Sequence, residues 1–232
     1  MKHIGIIAAL PGELKPLVQG WKQVRAGQGE GAWTGSIDGV GCTAVCAGMG
    51  VSAAERACNI AVQEGKLDAI VSMGWAGALS CGMQPGGAYV LNEVVDGATG
   101  EKFSTYSPPR AGNAGALRIV TIDHVAMGEE KRKLGLTFQA VLVDMEAAAV
   151  ARFARRHGIE FYCLKAVSDV AGEKLPDFSR YTDPEGHLQL PALLAHVAIR
   201  PQYWPSLARV GRNGKTGAVA MAAALRPLMS GG

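Results

Sequence analysis

Three acidic residues of this chain, Glu13, Glu146 and Asp169, each follow an apolar segment with the character of a buried β-strand. A carboxylate at the end of such a strand is costly to remove from water, so it tends to serve a reaction or to have a specific partner. In open α/β sheets, ligands bind at the carboxyl ends of the strands. Carboxylates there can act as general acids and bases, and one carboxylate can accept hydrogen bonds from two adjacent sugar hydroxyls. The three acids together predict a ligand site at one edge of a sheet.

Two of the acids also have a simpler structural explanation. Glu146 opens an alanine-rich helical segment, where a carboxylate complements the helix dipole. Asp169, which follows Ser168, is of the residue type that caps helices. Taken singly, these explanations compete with a functional one. Three acids at three strand ends of one sheet favour a site.

Two glycine-rich segments follow other strand-like runs. The first, Gly48–Ala53, imitates the G-x-G-x-x-G/A dinucleotide pattern, but it does not follow the first strand, and the next strand does not end in an acid. It predicts either a glycine turn whose amides hold a small polar group or a turn needed only for packing. The second, Ser72–Leu79, predicts a strand that gives way to glycines at Gly74, where the backbone can approach a ligand closely. Trp75 then belongs to the site, the core or an interface.

Apolar segments alternate along the chain with segments of helical period. Strand-like runs lie at 4–9, 42–47, 69–73, 88–95, 117–122, 140–145 and 160–167, and helical ones at 52–64, 129–134 and 146–157. Near-continuous apolar strands that alternate with helices predict an α/β fold with a mostly parallel sheet flanked by helices. A hairpin-like strand at Trp33–Gly39 makes the predicted sheet mixed.

Composition narrows the classes of function. The chain has 232 residues, 48% of them hydrophobic, which fits one domain with a sizeable core. A formal net charge of +3 is too small to indicate a nucleic-acid partner. Neither a signal peptide nor an apolar run of membrane-spanning length is evident, so the cytoplasm is the expected location. The five cysteines form no C-x-x-C pair and the five histidines show no ligand spacing, so we expect no disulfide and no metal.

Five segments, in this order and spacing, resemble the purine nucleoside phosphorylase/uridine phosphorylase superfamily. Within it, the chain is most similar to methylthioadenosine/S-adenosylhomocysteine nucleosidases and to hopanoid-associated phosphorylase-like proteins. The segments are Ile4–Leu14, Ala47–Arg56 (AGMGVSAAER), Val71–Leu79 (VSMGWAGAL), Val143–Ala151 (VDMEAAAVA) and Lys165–Ala171 (KAVSDVA). They span nearly three quarters of the chain, and together they are far more specific than any single motif.

The resemblance implies a role for each residue that matches the family pattern. Glu13 is expected to orient and activate the attacking water, and Glu146 to grip the 2′- and 3′-hydroxyls of a ribose. Asp169, beside Ser168, is expected to protonate N7 of the leaving purine, which requires it to be protonated near neutral pH. The remaining substrate-binding positions are Ala9, Gly74, Trp75, Val125 and Ala126 around the pocket, and Met145 under the ribose.

The same resemblance favours water over phosphate as the nucleophile. Phosphorylases of the superfamily hold phosphate with arginines, one of them two residues before the position of Gly74. That position is Ser72 here, and no arginine lies within residues 1–24. A phosphate dianion without a guanidinium would be held poorly. The expected activity is hydrolysis of an adenosine-type nucleoside such as methylthioadenosine or S-adenosylhomocysteine, with release of adenine and without a cofactor; a phosphate-dependent phosphorylase is the alternative.

The last part of the chain departs from the family pattern. We take residues 1–171 as the catalytic core and 172–232 as a divergent loop and basic helical extension on the same domain. The extension has two interpretations: a helix packed on the domain with solvated arginines, which is favoured, or a basic surface for a membrane. The second would suit an adenosylated lipid as substrate. Trp75 stands where the family has a small hydroxyl residue, which leaves open a non-catalytic nucleoside sensor. A homodimer is expected from the resemblance.

Overall fold

The computed structural model describes residues 3–26, 30–106, 117–170, 181, 183, 186, 189, 192–193, 196 and 198–230. Its strands are β1 (His3–Ala8), β2 (Lys22–Ala26), β3 (Gly31–Ile37), β4 (Val40–Cys46), β5 (Ala69–Ala78), β6 (Ala88–Leu91), β7 (Glu93–Asp96), β8 (Lys102–Ser104), β9 (Arg118–Thr121), β10 (Leu142–Asp144) and β11 (Glu160–Asp169). Its helices with described bounds are α1 (Pro11–Leu14), α2 (Val51–Gln63), α3 (Gly128–Phe138), α4 (Ala147–His157) and α5 (Trp204–Ser230), the last preceded by a 3-10 turn at Pro201–Tyr203.

The strands form one mixed sheet in the order β2-β3-β4-β1-β5-β10-β9-β7-β8, and β11 joins β5 to β6. Parallel pairing runs through β4, β1, β5 and β11 at the centre. Antiparallel pairs come from the hairpin β2-β3-β4, from β6 and β8 at the periphery, and from β10 against β5. The predicted α/β class with a mixed sheet flanked by helices is confirmed. The hairpin strands give the antiparallel pairs a larger share than the sequence predicted.

The two edges of strand β5 pair with other strands to different extents. One edge pairs with β11 along residues 69–77. The opposite edge pairs with β1 at residues 69–72 and with β10 at 77–78. In the described part of the chain, no strand pairs with residues 73–76 on that second edge. This gap between β1 and β10 leaves backbone groups available to side chains, and it is where the candidate site lies.

Helices cover both faces of the sheet. Helices α2 and α4 pack on one face through alanine-rich surfaces, with Phe153 of α4 almost fully buried among them. Helix α5 packs on the other face through Met221 and Leu225, which are completely buried. Alanine lets these helices approach the strands closely, since a short side chain adds little to the separation. None of the helices within the described residues has the length and hydropathy needed to cross a membrane.

Helix α5 is bound tightly to the end of the sheet near β5 and β11. Gly214 accepts a hydrogen bond from the Trp75 indole at 3.1 Å, and Asn213 donates one to the Ser168 carbonyl at 3.0 Å. A Cβ at Gly217 would lie 2.7 Å from the Cβ of Ala166, so this contact requires glycine. The basic residues of the helix face outward instead; Arg212, Lys215 and Arg226 are exposed.

Two boundaries differ from the sequence prediction in ways that matter for the site. Strand β5 continues to Ala78, so Gly74 lies inside a strand and not in a turn. The last helix was predicted only at Gly217–Leu225 but begins at Trp204. Tertiary pairing explains both. The β11 partner holds the glycine-containing segment extended, and packing on the sheet stabilises a helix whose first half is rich in glycine and polar residues.

We expect Trp75→Phe to lower the free energy of unfolding by about 1–3 kcal/mol. The variant removes the indole donor to Gly214 and leaves space between Gly12 and Gly214, where an added Cβ would lie 3.1 Å from the indole ring in each case. Urea unfolding should show a lower midpoint with an unchanged slope. An unchanged midpoint would mean that the indole does not hold α5 in place.

Candidate active site

A cavity of about 250 Å³ opens at the carboxyl ends of β1, β5, β10 and β11. Its walls are mostly apolar and its polar groups are few, as in small-molecule sites generally. The lining residues are Ala9, Leu10, Glu13, Met49, Trp75, Ala76, Gly77, His124, Val125, Ala126, Lys131, Val143, Asp144, Met145, Glu146, Ser168, Asp169 and Val210. Apart from Gly74, every residue that the sequence placed in the site is among them.

Glu13 closes the gap on the open edge of β5. One carboxylate oxygen, Oε1, accepts the Trp75 amide at 2.7 Å, and the other, Oε2, accepts the amides of Ala9 and Leu10 at 2.8 Å each. The residue is 3% exposed. Burial raises the pKa of Glu13, and the amide hydrogen bonds and the charge of Lys165 oppose that rise. These contacts fix a carboxylate in one orientation at the cavity wall.

Gly74, for which a substrate contact was predicted, lies next to the Glu13 carboxylate. A Cβ at this position would lie 2.9 Å from Glu13 Oε1. The residue does not line the cavity; it stands behind the carboxylate and leaves room for it. Because β5 continues as a strand through this position, Gly74 faces Glu13.

Glu146 lies between the cavity and the glycine turn that precedes α2. Its Oε1 accepts the Gly50 amide at 2.7 Å. Burial raises the pKa of Glu146 to about 7, the charge of Asp144 adds to the rise, and Lys165 and the Gly50 amide oppose it. The turn at Gly48–Gly50 therefore holds a side chain of the protein itself, which fits the second interpretation of that motif, a turn used for packing. Met145 lies beside Glu146 in the cavity wall.

An ion pair lies beneath these two carboxylates. The Lys165 ammonium is 2.8 Å from Asp144 Oδ2, and both side chains are almost completely buried. Asp144 also accepts hydrogen bonds from the Thr121 hydroxyl at 2.7 Å and from the Ala147 amide at 3.0 Å. Burial would lower the pKa of Lys165, but the surrounding negative charge, chiefly that of Asp144, raises it above its usual value. Lys165 is therefore a fixed positive charge under the site.

Asp169 is held by two side-chain donors. The Ser168 hydroxyl lies 2.6 Å from Oδ1, and the Lys131 ammonium forms a buried salt bridge with Oδ2. Asp169 is 7% exposed and Lys131 2%. The sequence predicted a carboxyl group in an apolar environment, so that it would stay protonated. The structure shows a cationic partner as well, because α3 brings Lys131 over the end of β5.

The loop between β9 and α3 forms the wall next to this pair. Val125 and Ala126 present apolar surface there, without an aromatic ring. His124 lies at the more exposed end of the wall, 2.7 Å from both Asp123 and Glu130, and these hydrogen bonds raise the pKa of His124. Within the described residues, no group of three or more His, Cys, Asp or Glu side chains is arranged to hold a metal ion.

Several lining or supporting residues were missed by the sequence reasoning, and three of them differ in the signal that the sequence offered. Lys165 had a visible signal, a charge inside an otherwise apolar strand. Lys131 had none, because it belongs to a charged helical run, GEEKRK, in which any residue could face solvent. Val210 comes from α5, which reaches the cavity only through tertiary packing.

The chain matches a protein-family model and several solved structures. A family model described as the phosphorylase superfamily matches residues 3–130 and 118–196. Among solved structures, 5′-methylthioadenosine nucleosidase of Arabidopsis thaliana aligns with a TM-score of 0.72 at 19% identity, over 99% of this chain and 95% of that one. The methylthioadenosine/S-adenosylhomocysteine nucleosidase of Neisseria meningitidis, in complex with methylthio-immucillin-A, aligns with a TM-score of 0.71 at 19% identity over 99% of both chains.

Futalosine hydrolase of Helicobacter pylori also aligns, with a TM-score of 0.68 at 14% identity, over 99% of this chain and 97% of that one. At such identities the structural likeness establishes the fold alone. Proteins named for different nucleosides share it, so the choice of substrate has to be argued from side chains.

We expect any activity that depends on an ionised Glu146 to fall as the pH drops through about 7. A raised carboxyl pKa means that the charged form persists only above that value, so kcat/KM should decline about tenfold per pH unit on the acid side. A pH profile of kcat/KM measures this. Glu146→Gln keeps an acceptor for the Gly50 amide but cannot ionise. The decline on the acid side should therefore be absent from the pH profile of its residual activity. A wild-type profile that stays flat down to the pKa of an ordinary glutamate would contradict the prediction.

Proposed function

The chain belongs to the phosphorylase superfamily, and from this membership and the geometry of the cavity we propose that it hydrolyses the N-glycosidic bond of a purine nucleoside. The observation that carries the proposal is the convergence of Glu13, Glu146 and Asp169 on one apolar cavity. Breaking this bond develops positive charge on the ribose and negative charge on the base. The proposal assigns one carboxylate to the ribose, one to the leaving base and one to the attacking water.

Glu146 and Met145 form the ribose end of the proposed complex. The Gly50 amide occupies one oxygen of Glu146 and orients the carboxylate, so lone pairs remain for two neighbouring hydroxyls. A pair of hydroxyls on adjacent carbons matches the spacing of carboxylate oxygens. Met145 supplies adaptable apolar surface against the sugar ring.

Glu13 is the proposed base for the attacking water. Its three amide donors hold the carboxylate in the wall, and an ionised carboxylate has further lone pairs for a water proton. The raised pKa makes it a stronger base than an ordinary glutamate, while Lys165 keeps negative charge tolerable there.

The leaving base is proposed to lie against Val125 and Ala126 with its N7 toward Asp169. The Ser168 hydroxyl fixes the orientation of that carboxylate. A proton delivered to N7 neutralises the charge that develops as the bond breaks, and general acid catalysis of this kind contributes about 10²–10⁴-fold.

Water is proposed as the nucleophile because the cavity lacks the groups that hold phosphate. No arginine is among the residues described as lining it, and its one lining lysine already pairs with Asp169. A dianion would also lie beside Glu13 and Glu146, whose charges would repel it. A neutral water molecule avoids both costs.

For the substrate, we propose an adenosine-type nucleoside with an apolar 5′ substituent, such as methylthioadenosine or S-adenosylhomocysteine. Leu10, Trp75 and Val210 give the Glu13 side of the cavity an apolar wall, which suits a thioether. The names of the nucleosidases with this fold agree with that choice. The resemblance of the quoted segments supplies adenine as the base.

Base release measured with and without phosphate tests the proposal. We expect methylthioadenosine or S-adenosylhomocysteine to release adenine at the same rate in both conditions, with a free sugar as the second product. Inosine and adenosine belong in the same assay, because they vary the base and the 5′ group separately. Glu13→Gln, which preserves the shape of the side chain, should lose about 10²–10⁴-fold in kcat.

Other outcomes would identify a different activity. Release that requires phosphate and yields a sugar phosphate would make the protein a phosphorylase. Tight adenine binding without turnover of any nucleoside would make it a sensor.

We also propose that the protein is a homodimer that covers the cavity rim. Three exposed apolar residues lie next in the chain to the site: Met127 follows Ala126, Val170 follows Asp169, and Val51 follows Gly50, the hydrogen-bond donor to Glu146. A second copy would remove this surface from water. Sedimentation at micromolar concentration should show a dimer, and Met127→Glu should shift it toward monomer; a monomeric wild type would contradict the proposal.

A further inference from the structure

One cation that lines the cavity, the Lys131 ammonium, has no role in the reaction as proposed above. Lys131 extends from α3 into the cavity wall with its side chain 3% exposed. Its ammonium forms the salt bridge with Asp169 and lies 3.4 Å from the carbonyl oxygen of Val170. An ammonium has three N–H donors, so these two partners leave one donor directed elsewhere.

The fold makes room for this lysine at a specific position. A Cβ at Gly77 of β5 would lie 3.1 Å from the Lys131 Nζ and 3.3 Å from its Cε. The adjacent basic residues of α3, Arg132 and Lys133, are exposed. Burial of an ammonium and a carboxylate costs several kcal/mol per ion, and an apolar pair of similar size is often at least as stable. Stability alone therefore gives a weak reason for the Lys131–Asp169 pair.

We propose that Lys131 supplies the proton that leaves with the purine, and that Asp169 transfers it. This inference rests on the proposed function, and it concerns the same site. Lys131 acts through Asp169, so it is a positioning and proton-supplying residue, while Asp169 is the group that touches the base.

The step balances as a proton relay coupled to bond cleavage. The C1′–N9 bond breaks, and its electron pair moves into the purine ring. A proton passes from the Lys131 ammonium to the Asp169 carboxylate, and the Asp169 carboxyl group gives a proton to N7. The water oxygen bonds to C1′, and its proton goes to Glu13. Lys131 is left as a neutral amine and Glu13 as a carboxylic acid. After the products leave, Lys131 regains a proton from solvent and Glu13 releases one to it.

Substrate binding favours this relay for a physical reason. A base that fills the apolar part of the cavity displaces water, and two opposite charges then become more costly to maintain. The pair moves toward its neutral form, amine and carboxylic acid, which is the form that can donate to N7.

The test compares Lys131→Met with wild type on two leaving groups. Methionine has a similar length and removes the charge. We expect kcat for the purine nucleoside to fall about 10²-fold or more. A matching riboside of 4-nitrophenol, which leaves as an anion without protonation, should change by less than about threefold. Lys133→Met, an exposed change on the same helix, is the control and should behave as wild type on both substrates.

The pH profile gives a second readout that a structural role would not move. In wild type the shared proton stays available to alkaline pH. In Lys131→Met only the proton of Asp169 itself remains, so the alkaline limb of kcat should move by more than one unit toward acid. If wild type does not hydrolyse the aryl riboside, the position of the alkaline limb decides whether Lys131 supplies the proton. Gly77→Ala, which pushes on the ammonium without removing it, should show the same shift in smaller degree and serves if Lys131→Met does not fold.

The outcomes separate this inference from the proposed function. Equal losses on both leaving groups, with an unchanged alkaline limb, would make Lys131 a structural counter-ion and overturn the inference while nucleoside hydrolysis stands. An unchanged nucleoside rate would overturn it as well. A wild type that releases no base from any nucleoside would refute the proposed function, and the relay with it.

Discussion

The burial of three carboxylates, and the partial burial of a fourth, at one end of a sheet is the constraint on which the rest of this structure depends. Glu13, Asp144, Glu146 and Asp169 all line one apolar cavity. Like charges so close in a poorly solvated space destabilise one another. Two buried lysines offset this repulsion: Lys131 pairs with Asp169, and Lys165 pairs with Asp144. The two glutamates have backbone amides as their hydrogen-bonding partners among the described contacts.

This division of partners also divides the chemistry. The aspartates have lysine partners, which hold negative charge in place. The glutamates have raised pKa values because they are withdrawn from water, and their amide hydrogen bonds oppose that rise only in part. A glutamate of this kind is a better proton acceptor than one in water, and it remains able to bind a hydroxyl or a water molecule. The same burial that costs stability therefore provides the reactive groups.

The architecture around the cavity follows from the need to satisfy those groups. The open edge of β5 exists because β1 and the antiparallel β10 approach it from opposite directions and both end there. Glu13 accepts the hydrogen bond from the Trp75 amide that a neighbouring strand would otherwise have accepted. Gly74 and Gly77 lie in β5 where Glu13 and Lys131 approach the strand. Helix α5 completes the wall, and its Gly214 carbonyl accepts a hydrogen bond from the Trp75 indole. Trp75, which stands where the resemblance implies a small residue, is accommodated by packing against Gly12 and Gly214.

The sequence by itself determined the α/β class, the mixed sheet and the cluster of acids at the strand ends, because these depend on local periodicity and on where apolar runs stop. It did not determine that β5 runs on through its glycines, since that depends on pairing with β11. It identified Asp169 but not Lys131, because a lysine in a charged helix has the same sequence pattern whether it faces solvent or a cavity. Only the tertiary structure decided which ions became partners, since helix α3 and strand β11 meet through packing between segments far apart in the chain. The protonation of the site follows from those partners and could not be derived from the acids alone.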